Sequence, residues 1–367
     1  MSDTPPISNN LTPIWKFRDF QIHFQERPLI MGIVNVTPDS FSDGGSFLQT
    51  EMAVNQAKAL VQEGAQFIDI GGESTRPGSS PVATRDELSR VIPVLEALAT
   101  EIDDPISIDT SKAVVARHAL EAGASIINDV TGLEGDPEMP DVAVDFDAGI
   151  IIMHMKGTPL TMQQNPQYDD VITEVAHYLE SRIFQLHQQG IDPSRMVIDP
   201  GIGFGKTLDH NLTLLSKMEC LQTLQRPICI GHSRKKIIGG LTGRPVQERV
   251  YGSICLALAV CNKKGSPIFR VHDVAPLRDA MVADSSYRLL IDTMNFNDGA
   301  NGSDNITDIY VLELDGSAYG WTRPINNCFD TCIEIDNNYE ESNYYTNGLD
   351  AMKVTLLHEY FHTIQMA

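Results

Sequence analysis

A chain of 367 residues with 42% hydrophobic and 21% charged side chains has the makeup of a soluble globular protein, and its length suits one α/β barrel of about 250 residues plus an additional segment. The formal net charge of −22 argues against a nucleic-acid partner, because displacing counterions from a duplex takes a basic surface. No apolar run approaches the roughly 18 residues that span a bilayer, and the opening Met1 to Pro6 lacks the basic and apolar regions of a secretory signal, so the expectation is a cytoplasmic protein with no membrane partner.

Compact β-branched runs bounded by turns predict eight strands, near residues 29–35, 66–71, 105–109, 125–128, 149–154, 196–199, 227–231 and 267–271. Helical patterns fill the gaps at 51–63, 85–100, 111–122, 171–189, 211–218 and 247–263, each ending near Gly or Pro. Strict alternation of strand and helix implies a parallel sheet, and eight repeats imply a closed α/β barrel of the TIM (β/α)8 type. Cys220, Cys229, Cys255 and Cys261 fall in its apolar stretches and are expected as buried, reduced thiols.

Polar clusters sit where the predicted strands end, which is where such a barrel builds its active site. After the first strand comes Asn35, whose amide oxygen is a hard, neutral ligand suited to Mg2+. The second is followed by Glu73 to Gly78, which carries Thr75 and Arg76. Asp109 and Asn128 end the third and fourth, where a carboxylate and an amide facing one pocket read the donors and acceptors of a planar ring. Met153 ends the fifth and, with Met155, offers a soft wall.

The sixth strand runs into Asp199-Pro-Gly-Ile-Gly-Phe-Gly205, whose glycines permit a tight turn and whose Asp199 can grip an amidine-like pair of N–H groups. A structural turn with a surface Asp is the competing reading. Gly231, Ser233, Arg234 and Lys235 close the seventh strand, where barrels often bind phosphate. Arg270 and His272 end the eighth, on one side of it by alternation. With Arg76 these cations make a local anion site, against the alternative of a solvated basic patch.

The stretches Met31 to Gly45, Asp69 to Gly78, Asp199 to Lys206 and Gly231 to Lys235 resemble the dihydropteroate synthase family in sequence and in order, over roughly residues 14 to 283. That resemblance implies condensation of (7,8-dihydropterin-6-yl)methyl diphosphate with 4-aminobenzoate to give dihydropteroate and diphosphate, with sulfonamides as aminobenzoate mimics. By the family pattern Asp109, Asn128, Asp199 and Lys235 hold the pterin, and Asn35 reaches a Mg2+ on the diphosphate. Thr75, Arg76, Arg270 and His272 contact the diphosphate end, while Met153, Phe204, Gly231 and Ser233 complete the substrate-binding set. Lys235, Asp109 and Arg270 stand as the catalytic residues. The loops carrying Pro38, Asp39, Phe41 and Ser42, and Thr75 to Pro77, would close over the aminobenzoate, and a homodimer is implied. His232 departs from the pattern. A pterin-dependent methyltransferase and a non-catalytic pterin-binding module are the competing classes.

Beyond the barrel, assigned to 1–283, the character of the chain changes. Residues 284–367 hold seven of the ten tyrosines and only three basic residues, Arg288, Arg323 and Lys353, among acidic and Asn-rich turn sequence such as 295–304 and 334–341. His358-Glu-Tyr-Phe-His362 is an H-E-x-x-H pattern, which on a helix sets two histidines on one face for Zn2+ with Glu359 as general base. It resembles a zinc metallopeptidase helix, as do Cys328 and Cys332 a secreted peptidase. The third zinc ligand of that class mostly lies further downstream, so the expectation is a truncated, inactive fragment joined to the barrel at a gene or assembly junction.

Overall fold

The computed structural model describes residues 14–24, 28–37, 46–261, 267–288, 320–324 and 331–335. Its first unit, Met1–Arg278, opens with β1 (Ile14–Phe17) and β2 (Phe20–His23), then β3 (Leu29–Asn35), α1 (Ser46–Gln62), β4 (Phe67–Gly71), α2 (Thr84–Leu98), β5 (Ile106–Asp109) and α3 (Ala113–Glu121). There follow β6 (Ile126–Asp129), α4 (Met139–Asp145), β7 (Gly149–Met153), α5 (Val171–Gln188), β8 (Met196–Asp199), α6 (Leu208–Ser216), β9 (Cys229–Ile230), α7 (Lys236–Thr242), α8 (Val250–Cys261), β10 (Ile268–Val271) and the first residues of α9 (Val274–Arg288), which continues past Arg278.

Strands β3 to β10 form one eight-stranded sheet in the order β8-β7-β6-β5-β4-β3-β10-β9. Every adjacent pair in it is parallel. A single parallel bridge between Ile198 and Ile228 brings the two edge strands together, reinforced by the Ile198 N–H donating to the Pro227 carbonyl at 3.0 Å. The eight predicted strands therefore form the barrel expected from the sequence, within two residues at each end.

Alternation along the strands explains both the core and the site. Met31, Phe67, Ile126, Ile151, Val197, Cys229 and Ile268 pack as one apolar layer with Trp15, Phe17 and Phe24. The aromatic residues come from the β1–β2 hairpin and the chain just after it, so the hairpin plugs the N-terminal mouth. Trp15 and Phe17 pack with tilted rings, 4.6 Å between centroids, and the Trp15 indole N–H donates to the Arg195 carbonyl at 2.8 Å. Two residues further along the same face is reached again, where β3 places Ile33 and the other six strands place Asp69, Asn128, Met153, Asp199, Gly231 and Arg270. The apolar plug thus fixes one end of the cylinder, and a polar layer forms toward the other.

Helices cover the outside with apolar stripes at helical spacing, as in α5, which buries Val171, Val175, Leu179 and Leu186. Asp170 caps α5 by accepting from the Ile172 N–H, and Thr207 and His210 close a reciprocal cap on α6. Helices α4, α7 and α9 were not placed from the sequence. Cys220 is a correction: Cys229 and Cys255 are buried as expected and Cys261 is partly so, but Cys220 is exposed on the short 3-10 turn Met218–Leu224. Among the described residues no helix is long and apolar enough to cross a membrane.

The second unit, Asp279–Ala367, contains β11 (Gly320–Pro324) and β12 (Thr331–Ile335), paired antiparallel from Gly320↔Ile335 to Pro324↔Thr331. Residues 334 and 335, read as loop from sequence, thus belong to a strand. His358, Glu359, His362 and Cys328 lie outside the described residues, as do Pro38, Asp39, Phe41 and Ser42.

Candidate active site

A buried ionic network makes the floor of the barrel mouth. Arg270 donates through Nε to Asp69 Oδ2 at 2.5 Å and through Nη2 to Asp109 Oδ2 at 2.7 Å. Asn128 Nδ2 donates to the same Asp69 oxygen at 3.2 Å. The strand register explains the meeting, since Asn35, Gly71, Asp109 and Asn128 lie in one row across β3 to β6. Glycine at position 71 leaves the row open: a Cβ there would lie 3.7 Å from Asn35 Oδ1 and 3.8 Å from Asp109 Oδ2.

Opposite this network stand Asp199 and Lys235. Gly231 separates them, because a Cβ at that position would lie 3.5 Å from Lys235 Nζ and 3.9 Å from Asp199 Oδ2. Lys235 Nζ donates to the Ile202 carbonyl at 2.7 Å and lies 4.4 Å from the centroid of the Phe204 ring. Phe204 packs in turn with Val130, Met153 and Met162, which gives the pocket an apolar wall around its charged groups.

The loop after β8 is held by its own buried hydrogen bonds. Lys206, 2% exposed, donates to the carbonyls of Gly201 and Phe204, each at 3.0 Å, and contacts His154 Nδ1 at 2.9 Å. At Gly201 φ is +70°, and a Cβ would come 1.9 Å from the His154 carbonyl oxygen, so only glycine fits. Asp199 Oδ1 accepts from the Gly201 N–H at 2.7 Å, which leaves its second oxygen to face Gly231. The reading of Asp199 as a surface residue on a structural turn is thereby corrected, since it is 6% exposed.

Further out, Ser233 Oγ contacts His272 Nδ1 at 3.0 Å and accepts from the His272 N–H at 3.3 Å. Thr75 and Asp109 line one cavity of about 340 Å³ with Thr110, Thr131, Met155 and Leu160. The loop bearing Thr75 and Arg76 is tied down at its base, where Lys112 bridges Glu73 and the buried Glu87. At its tip the Gly78 N–H donates to the Pro159 carbonyl at 3.0 Å. Arg76 is exposed, and its charge reaches His272.

These contacts set the electrostatics. Burial raises Asp109 to about 7, against the pull of Arg270 and with Asp69 adding to the rise. Burial raises Asp199 as well, opposed chiefly by Lys235. The Lys235 ammonium is lowered to about 8 by burial, with Asp199 opposing. Burial works against the Arg270 charge, yet Asp69 and Asp109 outweigh it and its pKa is raised. His272 is lowered to about 4 by burial and then by Arg270 and Arg234, so it is a neutral imidazole at neutral pH.

Among the described residues, the site residues named from the sequence lie at or just beyond the C-terminal ends of their strands, with two adjustments. The charge of Arg270 is matched by Asp69 and Asp109, so it belongs to the floor more than to an open anion cluster. Arg234 is paired with Asp273 and is no free cation. His232 is a buried ring whose Nε2 contacts the Ser253 carbonyl at 2.9 Å. Sequence reasoning missed Asp69, although a carboxylate two residues after Phe67 in an apolar strand was the available signal.

The family described as Pterin binding enzyme matches residues 31–272. A dihydropteroate synthase of Synechocystis sp. is 45% identical over 268 residues, covering 72% of this chain and 91% of the relative. The chain belongs to the dihydropteroate synthase family. The Xanthomonas albilineans dihydropteroate synthase with 4-aminobenzoic acid superposes with a TM-score of 0.70 at 44% identity, covering 76% of this chain and 98% of that one. The same organism's dihydropteroate synthase in complex with 7,8-dihydropteroate gives 0.68 at 42% identity, covering 75% and 99%. In each case the chain spans nearly the whole length of its relative, so the family match accounts for the barrel.

Proposed function

We infer that the barrel condenses (7,8-dihydropterin-6-yl)methyl diphosphate with 4-aminobenzoate, giving dihydropteroate and diphosphate. The observation that carries this reading is the paired polar layer at the mouth: Asp69, Asp109, Asn128 and Arg270 on one side, Asp199 and Lys235 on the other. A bicyclic ring with alternating donors and acceptors matches such a layer, and its apolar faces match Met153 and Phe204. The ligands of the two Xanthomonas structures are the arylamine substrate and the product of this reaction.

In the condensation the arylamine nitrogen uses its lone pair to form a bond to the methylene carbon. The bond from that carbon to the diphosphate oxygen breaks with its electrons on the departing diphosphate, and the new amine loses a proton to solvent. An arylamine is nucleophilic as the free base, so the enzyme's contribution is position, charge and dryness. Asp199 and Lys235 orient the ring, the Asp109–Arg270 pair holds its far edge, and Ser233 with neutral His272 donates toward the leaving group.

Asn35 fits Mg2+ as a single hard oxygen donor beside Asp109, a sparse protein set of the kind that metal takes when substrate phosphates and water complete its shell. When bound there, the ion would neutralise charge on the departing diphosphate. A homodimer follows the family precedent, and exposed Leu241, Val246 and Tyr251 from the α7–α8 segment offer a face for it. For the tail, the H-E-x-x-H pattern supports a peptidase-like segment whose two histidines alone do not complete a catalytic zinc site; hydrolysis of casein by the purified chain with added Zn2+ would contradict that.

Diphosphate release measured with the full chain tests the main reading. Release is expected only when pterin diphosphate and 4-aminobenzoate are both present. Methyl transfer from a methylated pterin without diphosphate release, or binding of pterin with no turnover, would replace it with a methyltransferase or a binding module.

A further inference from the structure

Between the two residues that face the pocket after β9, Ser233 and Lys235, sits Arg234 in the left-handed region, with φ +55°. That conformation is unfavourable for a residue with a Cβ and persists only where its surroundings impose it. Here three residues do so. The Arg234 N–H donates to Ser253 Oγ at 2.9 Å. Its carbonyl accepts from Arg249 Nη1 at 3.1 Å, and the same nitrogen reaches the Lys235 carbonyl at 3.3 Å. Its guanidinium grips Asp273 with two nitrogens, Nε to Oδ2 at 2.9 Å and Nη2 to Oδ1.

Asp273 directly follows His272 on the chain leaving β10, so the ion pair ties the loop after β9 to the end of β10. One loop brings Lys235 and Ser233, and the other brings Arg270 and His272. A left-handed residue between Ser233 and Lys235 reverses the chain locally, which turns both neighbouring side chains toward the same pocket. A planar guanidinium holding both carboxylate oxygens fixes distance and orientation together.

We propose that Arg234 and Asp273 are a positioning pair for the reaction, clamping Lys235 and Ser233 against Arg270 and His272 without touching substrate. The pair also keeps the Arg234 charge matched, so that an incoming diphosphate is received by the neighbouring groups and not drawn out of line by Arg234. The proposal rests on the synthase reading of the site.

Steady-state kinetics and melting temperatures of Arg234→Gly, Asp273→Asn and the double variant test it. Glycine keeps the left-handed backbone without strain and removes only the clamp. Each single variant is expected to lose about 100-fold in kcat/KM for the pterin diphosphate, the scale of a 1 Å misplacement, with an unchanged melting temperature. The double variant should lose no more than either single one, because one interaction is removed by all three. Arg234→Lys, a point charge that cannot span both oxygens, should not restore the rate. Near wild-type kcat/KM in Arg234→Gly, or losses that multiply in the double variant, would overturn the pair. A loss matched by a falling melting temperature would assign it to stability alone and also overturn it. Wild-type chain with no turnover in the same assay would instead strike the synthase reading.

Discussion

Replacing Lys235 with Met keeps the length of the side chain and its contact with Phe204 but removes the ammonium. In the native site that group donates to the Ile202 carbonyl at 2.7 Å and faces Asp199 across Gly231. A hydrogen bond to a charged group contributes about 1.5 to 3 kcal/mol. Asp199, which Lys235 now holds down against burial, would rise further, so the pocket loses its cation and weakens the anion beside it. Taking about 3 kcal/mol for the combined loss to the ring in its reacting state, kcat/KM falls by roughly 150-fold at 1.4 kcal/mol per decade. The fold should not suffer, since a partly desolvated ammonium is exchanged for an apolar group of similar volume. Diphosphate release at saturating 4-aminobenzoate, with circular dichroism on the same sample, reads both quantities. A kcat/KM within threefold of wild type in a folded variant would mean that Lys235 does not hold the ring, and the pocket assignment would fall with it.

Asp69→Asn keeps the shape of the side chain but removes the charge that Arg270 and Asn128 share, and kcat/KM is expected to drop about 100-fold; an unchanged value in steady-state assays would deny Asp69 an orienting role. Trp15→Ala empties the centre of the apolar plug and should lower stability by about 3 to 5 kcal/mol in urea titration, whereas a loss under 1 kcal/mol would show the hairpin to be dispensable. Asp109 carries a folded-state pKa raised from 3.8 to about 7, so between these values the native chain keeps a proton that the unfolded chain has released. Stability due to this group is therefore greatest below pH 4 and declines as pH rises toward 7. Urea midpoints at pH 5 and pH 8 should differ more in the wild type than in Asp109→Asn, and parallel behaviour of the two proteins would refute the shift.

The barrel was legible because its eight strands are apolar runs separated by helices with clear 3.6-residue spacing, and because the chemistry stands at strand ends. The β1–β2 hairpin was not read, although Trp15, Phe17, Phe20 and Ile22 alternate with polar residues. Its two-residue turn, Arg18-Asp19, lacks the Asn-Gly or Asp-Gly signature, and Arg18 takes φ +44° instead of a glycine doing so. Helix α4 has seven residues and α7 carries Gly239 and Gly240, so neither gives a strong periodic signal. The placement of candidate residues at strand ends was legible by type and position, but their partners were not. That Arg270 would be matched by two carboxylates, and Arg234 by Asp273, depends on which strands become neighbours, which spacing along one chain does not encode.

The ring of strands has an unequal circumference. Most neighbours share a ladder of several rungs, but β9 is two residues long and meets β8 through one bridge. That seam is the joint with the fewest backbone hydrogen bonds to break, and such joints open first. Asp199 stands on one bank of it and Lys235 on the other. A ligand gripped by both acts as a suture across the gap, so occupancy and the mechanical integrity of the cylinder rise and fall together.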